Sequence, residues 1–120
     1  MKTKQKIITK QQINLIGTSQ ENIVCLMAQS NYTNIIFESN NPILMAYNLA
    51  IYEQILPSFF IRVNRGCTIN TRFIKELNYH DRSIILINNQ EIHIARRRWE
   101  NIKNSLKKYV GPLPRSNKAI

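Results

Sequence analysis

Arginines fixed to stiff apolar segments are the residues of this sequence with the most specific chemistry. Phe59 to Arg72 reads FFIRVNRGCTINTR, and Ile92 to Trp99 reads IHIARRRW. A guanidinium is planar and always charged. Its fork of N–H donors matches phosphate, or the O6/N7 edge of guanine, bidentately. Positive charge on a loose tail needs no partner but water. Projected from strand and helix ends, it points to a polyanion held in one geometry.

The charge balance agrees. The 120 residues carry 17 Lys and Arg against 7 Asp and Glu, a formal net charge of +10. Residues 1–60 hold 4 Lys and 3 Glu, whereas residues 61–120 hold 13 basic and 4 acidic side chains. A surplus confined to half of a small domain is an electrostatic footprint, and nucleic acid is its commonest partner. An acidic membrane would attract it too, but no basic amphipathic helix with a wide apolar face is evident. Nor does any run approach the ~18 apolar residues that span a bilayer. The start, MKTKQKIITK, lacks the apolar stretch and cleavage site of a secretory leader. A cytoplasmic location with reduced thiols is therefore expected. Cys25 and Cys67 read as small apolar residues in strands, without metal-ligand spacing.

The elements that must position these arginines are mostly strands. Hydrophobic residues form 43% of the chain, enough for a single core. One domain is expected over 1–110, with 111–120 as a C-terminal tail. Two short strands are expected within Lys6–Ile16. A hairpin then joins Ile23–Ala28 to Tyr32–Phe37 through Gln29-Ser30-Asn31, and a strand at Ile43–Ala46 follows the turn Glu38–Pro42. Leu49, Tyr52, Ile55 and Leu56 recur at helical spacing, predicting a short core-facing helix over 48–56 that Pro57 ends. Further short strands are predicted near 59–63, 67–69, 73–77, 83–87 and 91–94. They break at Asn64-Arg65-Gly66, His80-Asp81-Arg82 and Asn88-Asn89-Gln90. A last helix spans 96–109, stopped by Gly111-Pro112. The fold class is mainly β, built from antiparallel sheets.

On that last helix, at 100° per residue, Trp99, Ile102, Leu106 and Tyr109 share one face and cover the sheet. Arg97 then points almost directly away, with Arg96 and Arg98 flanking it. All three sit in the first turn, where the helix dipole disfavours cations, so an external anion explains them better than helix stability does. Arg65 occupies a break between two apolar strands, exposed yet held at both ends. Asn64 could read adenine or close the turn, and Gly66 is expected to supply an unusual backbone angle or a close approach. Asn31, by itself, is ordinary turn chemistry.

Taken in order, these segments resemble the LytTR family of bacterial DNA-binding domains. The match runs from about Ile23 to Leu106. It rests on Ser30-Asn31-Tyr32-Thr33, Leu56-Pro57 before Phe59-Phe60, Arg62-Val63, Arg65, Ile69-Asn70, Phe73-Ile74, Ile92, Ile94 and Arg96-Arg97-Arg98. The resemblance implies an elongated domain that regulates transcription. Such a domain places loops and the helix start into successive major grooves of double-stranded DNA, often at paired repeats, where a homodimer can assemble. Carried over by position, the base-reading candidates are Asn31, Tyr32, Asn64, Arg65 and Arg97. Arg62, Arg72, Lys75, Arg96 and Arg98 fall to phosphate contact or structural support, and Lys103 to a less selective phosphate contact. The sequence departs from the family pattern in five places. That pattern has histidine at Asn64, serine at Gly66, an aromatic at Cys67, serine at Ala95 and glutamate near Met27. Without a serine at Ala95 the last helix loses a cap, at a cost of about 1 kcal/mol. Relatives often carry a phosphoryl-receiving domain, and these 120 residues contain none.

Enzymology is not expected. His80 and His93 are the only histidines and Asp81 the only aspartate, and no HExxH, P-loop or dinucleotide fingerprint occurs. His80-Asp81-Arg82 reads as a solvated turn and His93 as a surface residue. No cofactor, metal or small-molecule substrate is implied. The competing readings are an RNA or single-strand binder, which would display stacking aromatics, and a basic protein-interaction module. Most aromatics here lie in apolar patterns, which favours the duplex.

Overall fold

A computed structural model describes residues 20–39 and 41–110. The strands expected within Lys6–Ile16, the Gly111-Pro112 stop and the C-terminal tail lie outside the described residues. The first sheet contains β1 (Ile23–Gln29), β2 (Tyr32–Phe37), β3 (Ile43–Met45), β4 (Phe60–Asn64) and β5 (Cys67–Asn70), in the order β3-β2-β1-β5-β4. The second contains β6 (Ile74–Asn78), β7 (Ser83–Leu86) and β8 (Glu91–His93), in that order. Every pairing among the described strands is antiparallel. Among the described residues two α-helices, α1 (Leu49–Glu53) and α2 (Arg96–Val110), pack on these sheets, and the principal extents are 51 × 30 × 21 Å. This is the mainly β, elongated architecture that the strand spacing and the family resemblance imply.

β1 shows why the sequence reads as a continuous apolar run there. It lies at the centre of the first sheet, and Ile23, Val24, Cys25 and Leu26 are all buried because both faces are covered. One face packs Val24 and Cys25 with Val63, Ile69, Ile84, Leu86 and Leu106, beneath the second sheet and α2. The other packs Ile23 and Leu26 with Ile35, Phe37, Leu49, Tyr52 and Phe60, beneath α1. Each fully buried aliphatic or aromatic contributes about 1.5–3 kcal/mol to holding the layers together.

The helices follow their apolar seams. Leu49 and Tyr52 of α1 are buried, and Ile55 and Leu56 pack on the same cluster. The helix is shorter than 48–56. Asn48 caps it, its Oδ1 accepting from Ile51 N at 3.3 Å, and beyond Glu53 the chain tightens into a turn before Pro57. On α2, Leu106 is buried while Trp99 and Ile102 pack against the first core, as the helical face requires.

The turns depart from expectation in one respect. Gly66 has no left-handed φ, and a Cβ there would meet only Asn64 Oδ1 at an ordinary 3.8 Å. The left-handed positions among the described residues are instead Ser30 (φ 57°), Tyr47 (φ 79°), Arg82 (φ 52°) and Asn89 (φ 69°). Sequence reasoning expects glycine at such positions because it alone enters that region freely. Beside Arg82, Asn78 Oδ1 accepts from Asp81 N at 3.0 Å, and beside Asn89, Asn88 Oδ1 accepts from Gln90 N at 3.1 Å, so side-chain bonds close these two turns without glycine.

Candidate nucleic-acid interface

The β4–β5 hairpin is closed by Asn64↔Cys67, which leaves Arg65 and Gly66 as a two-residue turn. The register slips between Arg62 and Asn64, so Val63 is a bulge, and its carbonyl is free of the ladder. That carbonyl accepts from Ala95 N at 2.9 Å, immediately before α2 begins. Asn64 adds a second tie, donating from Nδ2 to His93 O at 2.7 Å while its Oδ1 accepts from Gly66 N at 2.8 Å. Arg65 therefore sits beside the start of α2. The turn is braced from beneath as well. Arg62 donates from Nε to Asn64 O (2.9 Å), from Nη2 to Arg65 O (2.6 Å) and from Nη1 to Glu53 Oε1 (2.7 Å).

Two further turns meet the same edge. The β1–β5 register pairs Met27 with Cys67, and Ala28 N donates to Gly66 O at 2.9 Å. One step on lies the β1–β2 turn, where Gln29 pairs with Tyr32 and leaves Ser30 and Asn31 at the tip. On the other side, Ile94 N donates to Arg82 O at 2.8 Å, which brings the Tyr79–Arg82 turn of the second sheet to the helix start. The edge thus gathers Asn31, Tyr32, Arg65, Arg82, His93, Arg96 and Arg97 from four separate stretches of chain.

Most of these side chains face outward. Asn31, Tyr32, Arg65, His93, Arg96 and Arg97 are exposed, and Arg82 and Arg98 are half-buried. Among the described residues, no carboxylate lies within ion-pair distance of Arg65, Arg82, Arg96, Arg97 or Arg98; the ion pairs are Arg62–Glu53 and Lys103–Glu100. The α2 start strengthens the positive potential. Ala95 cannot cap it with a side chain, its carbonyl accepts from Arg98 N and Trp99 N, and Arg96 and Arg97 N–H have no acceptor among the described residues. Unpaired guanidiniums beside uncapped amides make an anion-attracting edge.

The remaining sequence candidates lie elsewhere or are engaged. Asn64 uses both ends of its amide inside the fold, and Arg62 uses its guanidinium to hold the turn. Arg72 follows the far end of β5 and stacks its guanidinium 3.9 Å above the Phe59 ring. Lys75 donates from Nζ to Asn89 Oδ1 at 2.8 Å, at the end of the second sheet away from the Tyr79–Arg82 turn. Lys103 is paired with Glu100 at 3.0 Å on α2. Arg82 is the residue that sequence reasoning left out. It read as part of a solvated turn, and only the Ile94–Arg82 backbone bond places it at this edge.

A mainly β domain that collects unpaired cations from turns and a helix start at one edge has the form of a loop-presenting nucleic-acid-binding module. The family model of the LytTr DNA-binding domain matches residues 6–107, and the chain belongs to that LytTR family. Among solved structures it is similar to the LytTr DNA-binding domain of a methyl-accepting/DNA response regulator from Bacillus cereus. That likeness has a TM-score of 0.60 and 21% identity, covering 77% of this chain and 84% of that one, and bears on the fold alone. No match was found among curated proteins. No helix among the described residues is long and apolar enough to cross a membrane.

Proposed function

We propose that this LytTR domain is a sequence-specific duplex DNA-binding regulator of transcription. The β1–β2 turn, the Arg65 turn and the start of α2 enter successive major grooves on one side of the helix. The observation that carries this reading is the convergence of three turns and one helix start on a single edge, fixed by backbone hydrogen bonds rather than by flexible side chains. Arg65 and Arg97 are the principal base readers, because both are exposed and unpaired on braced backbone. Asn31 and Tyr32 read a neighbouring groove segment. Asn64 acts by aiming Arg65, as Arg62 does from below. Arg82, Arg96 and Arg98 contact phosphates flanking the read bases, with Lys103 further along α2. Two copies occupy paired repeats.

Selection of bound fragments from random duplexes tests this directly, since it reports motif and half-site spacing together. The expected result is a recurring motif, with affinity falling at a log–log salt slope of roughly −0.9 for each phosphate neutralised. Equal affinity for duplex, single strand and RNA would overturn it.

A further inference from the structure

We propose that Cys25, Cys67 and Met27 form a binding site for a soft d10 cation, with Cu(I) the best chemical match, beneath Gln90. Cys25 and Met27 are two residues apart on β1, so their side chains share one face. The ladder pairs Met27 with Cys67 and Cys25 with Ile69, which sets Cys67 on that face, diagonal to Cys25. Both cysteines are free, and both belong to the same buried cluster, against which Met27 packs. Gln90 reaches them from the β7–β8 loop. Its Oε1 accepts from the Cys25 thiol at 3.7 Å, and its Nε2 donates to Met27 Sδ at 3.5 Å.

Thiols and thioethers are weak hydrogen-bonding partners. A glutamine amide turned onto two sulfurs therefore marks a place where the sulfurs face polar contact instead of being sealed in hydrocarbon. Cys25 and Cys67 are 0% and 2% exposed, while Met27 and Gln90 are half-buried and form the outer rim. An ion enters past that rim, and the thiols take it from below.

Soft sulfur donors favour Cu(I) over harder cations. Two cysteine sulfurs supply a two-coordinate set, and Met27 supplies a third donor. Among the described residues no group of three or more His, Cys, Asp and Glu is available, so a tetrahedral Zn(II) set of those donors cannot be completed. The step is a ligand exchange. Cu(I) replaces the protons of two Cys S–H groups, two S–Cu bonds form, two protons pass to solvent, and no oxidation state changes. The site stands independently of the DNA reading.

The test is an anaerobic titration of the reduced full chain with Cu(I), in competition with a chromophoric Cu(I) chelator. The chain is expected to withdraw one equivalent and to develop thiolate-to-Cu(I) charge-transfer absorption in the ultraviolet. Met27→Leu keeps that stoichiometry but surrenders the ion to lower chelator concentrations. A Cys25→Ala/Cys67→Ala double variant, which keeps small apolar groups in the core and is checked for folding by circular dichroism, loses the equivalent altogether. Wild-type protein that leaves all the Cu(I) on the chelator overturns the proposal. So does a folded double variant that still withdraws one equivalent, or retention of Zn(II) in preference to Cu(I).

Discussion

The strand that holds Arg62 and the turn that holds Arg65 are three residues apart and treat the same side chain in opposite ways. Arg62 has backbone carbonyls of Asn64 and Arg65 within reach and a carboxylate from α1 beside it, and its guanidinium is engaged by all three. Arg65 stands past the last ladder pair, where the chain has reversed and its guanidinium has no carboxylate within ion-pair distance among the described residues. Residue type does not distinguish the two. What distinguishes them is whether unsatisfied acceptors lie inside the curve of the turn or outside it. One arginine stiffens the hairpin so that the other can be presented in a fixed position.

The sharpest way to break this comparison is to remove the outward pair. Arg65→Ala and Arg97→Ala are each expected to cost roughly 1–3 kcal/mol of cognate-duplex affinity, about 5- to 150-fold, and to flatten preference at one base position. Neither side chain makes an internal ion pair among the described residues, so melting temperatures are expected to stay at the wild-type value. Mobility-shift titrations paired with thermal melts check both halves. If both variants bind like wild type, the outward set does not read the duplex.

Arg62→Ala reverses the pattern. Its bonds from a charged donor to two backbone carbonyls are worth about 1.5–3 kcal/mol, and losing them also loosens the turn that carries Arg65. Stability therefore drops first, and affinity falls as a consequence. The ion pair contributes little, because Glu53 is 41% exposed. Glu53→Gln is expected to change stability by less than about 1 kcal/mol. Urea denaturation of the two variants separates them, and equal losses would show that the carboxylate, not the carbonyls, holds Arg62.

Much of the fold was legible in the sequence. The period of two and the runs of β-branched residues located all eight described strands to within a residue or two, and the Trp99, Ile102 and Leu106 spacing oriented α2 correctly. What local pattern does not carry is contact between distant segments. Arg62 and Arg65 look alike in sequence because Glu53 and the turn carbonyls come together only after folding. Asn64 looked equally able to close a turn or face a base, and its bond to His93 O spans 29 residues. Arg82 read only as part of a solvated turn because its place at the edge depends on one backbone bond to Ile94. The Gly66 expectation failed for a related reason. An Asn64 side chain accepting from Gly66 N closes the turn without a left-handed backbone, so glycine's special freedom is not used there.

Asn64 gives the next, smaller test. Asn64→Asp keeps an oxygen for Gly66 N but has no donor for His93 O, whereas Asn64→Ala loses both bonds. Each net bond is worth about 1 kcal/mol, so alanine is expected to destabilise more than aspartate, and both are expected to weaken duplex binding by displacing Arg65. Aspartate also brings a negative charge to the edge. Its affinity loss is therefore expected to exceed its stability loss, read from the same titrations and melts.

The smallest effect is expected at Arg72, beyond the opposite end of β5. Its guanidinium lies over the Phe59 ring and its backbone N–H donates to Asn70 Oδ1 at 2.9 Å, so the side chain makes one contact that alanine would remove. An exposed cation–π contact is worth about 0.5–1 kcal/mol, and the melting temperature is expected to fall by only that small margin. Duplex affinity at moderate salt is expected to stay close to wild type, because Arg72 follows the end of β5 opposite the Arg65 turn. The measurement that matters is the salt slope. Removing a true phosphate contact lowers its magnitude by about one, and a cation that only caps an aromatic ring leaves it unchanged. An unchanged slope for Arg72→Ala beside a reduced one for Arg96→Ala would confine the binding surface to one end of the molecule; a reduced slope for both would extend it across the sheet.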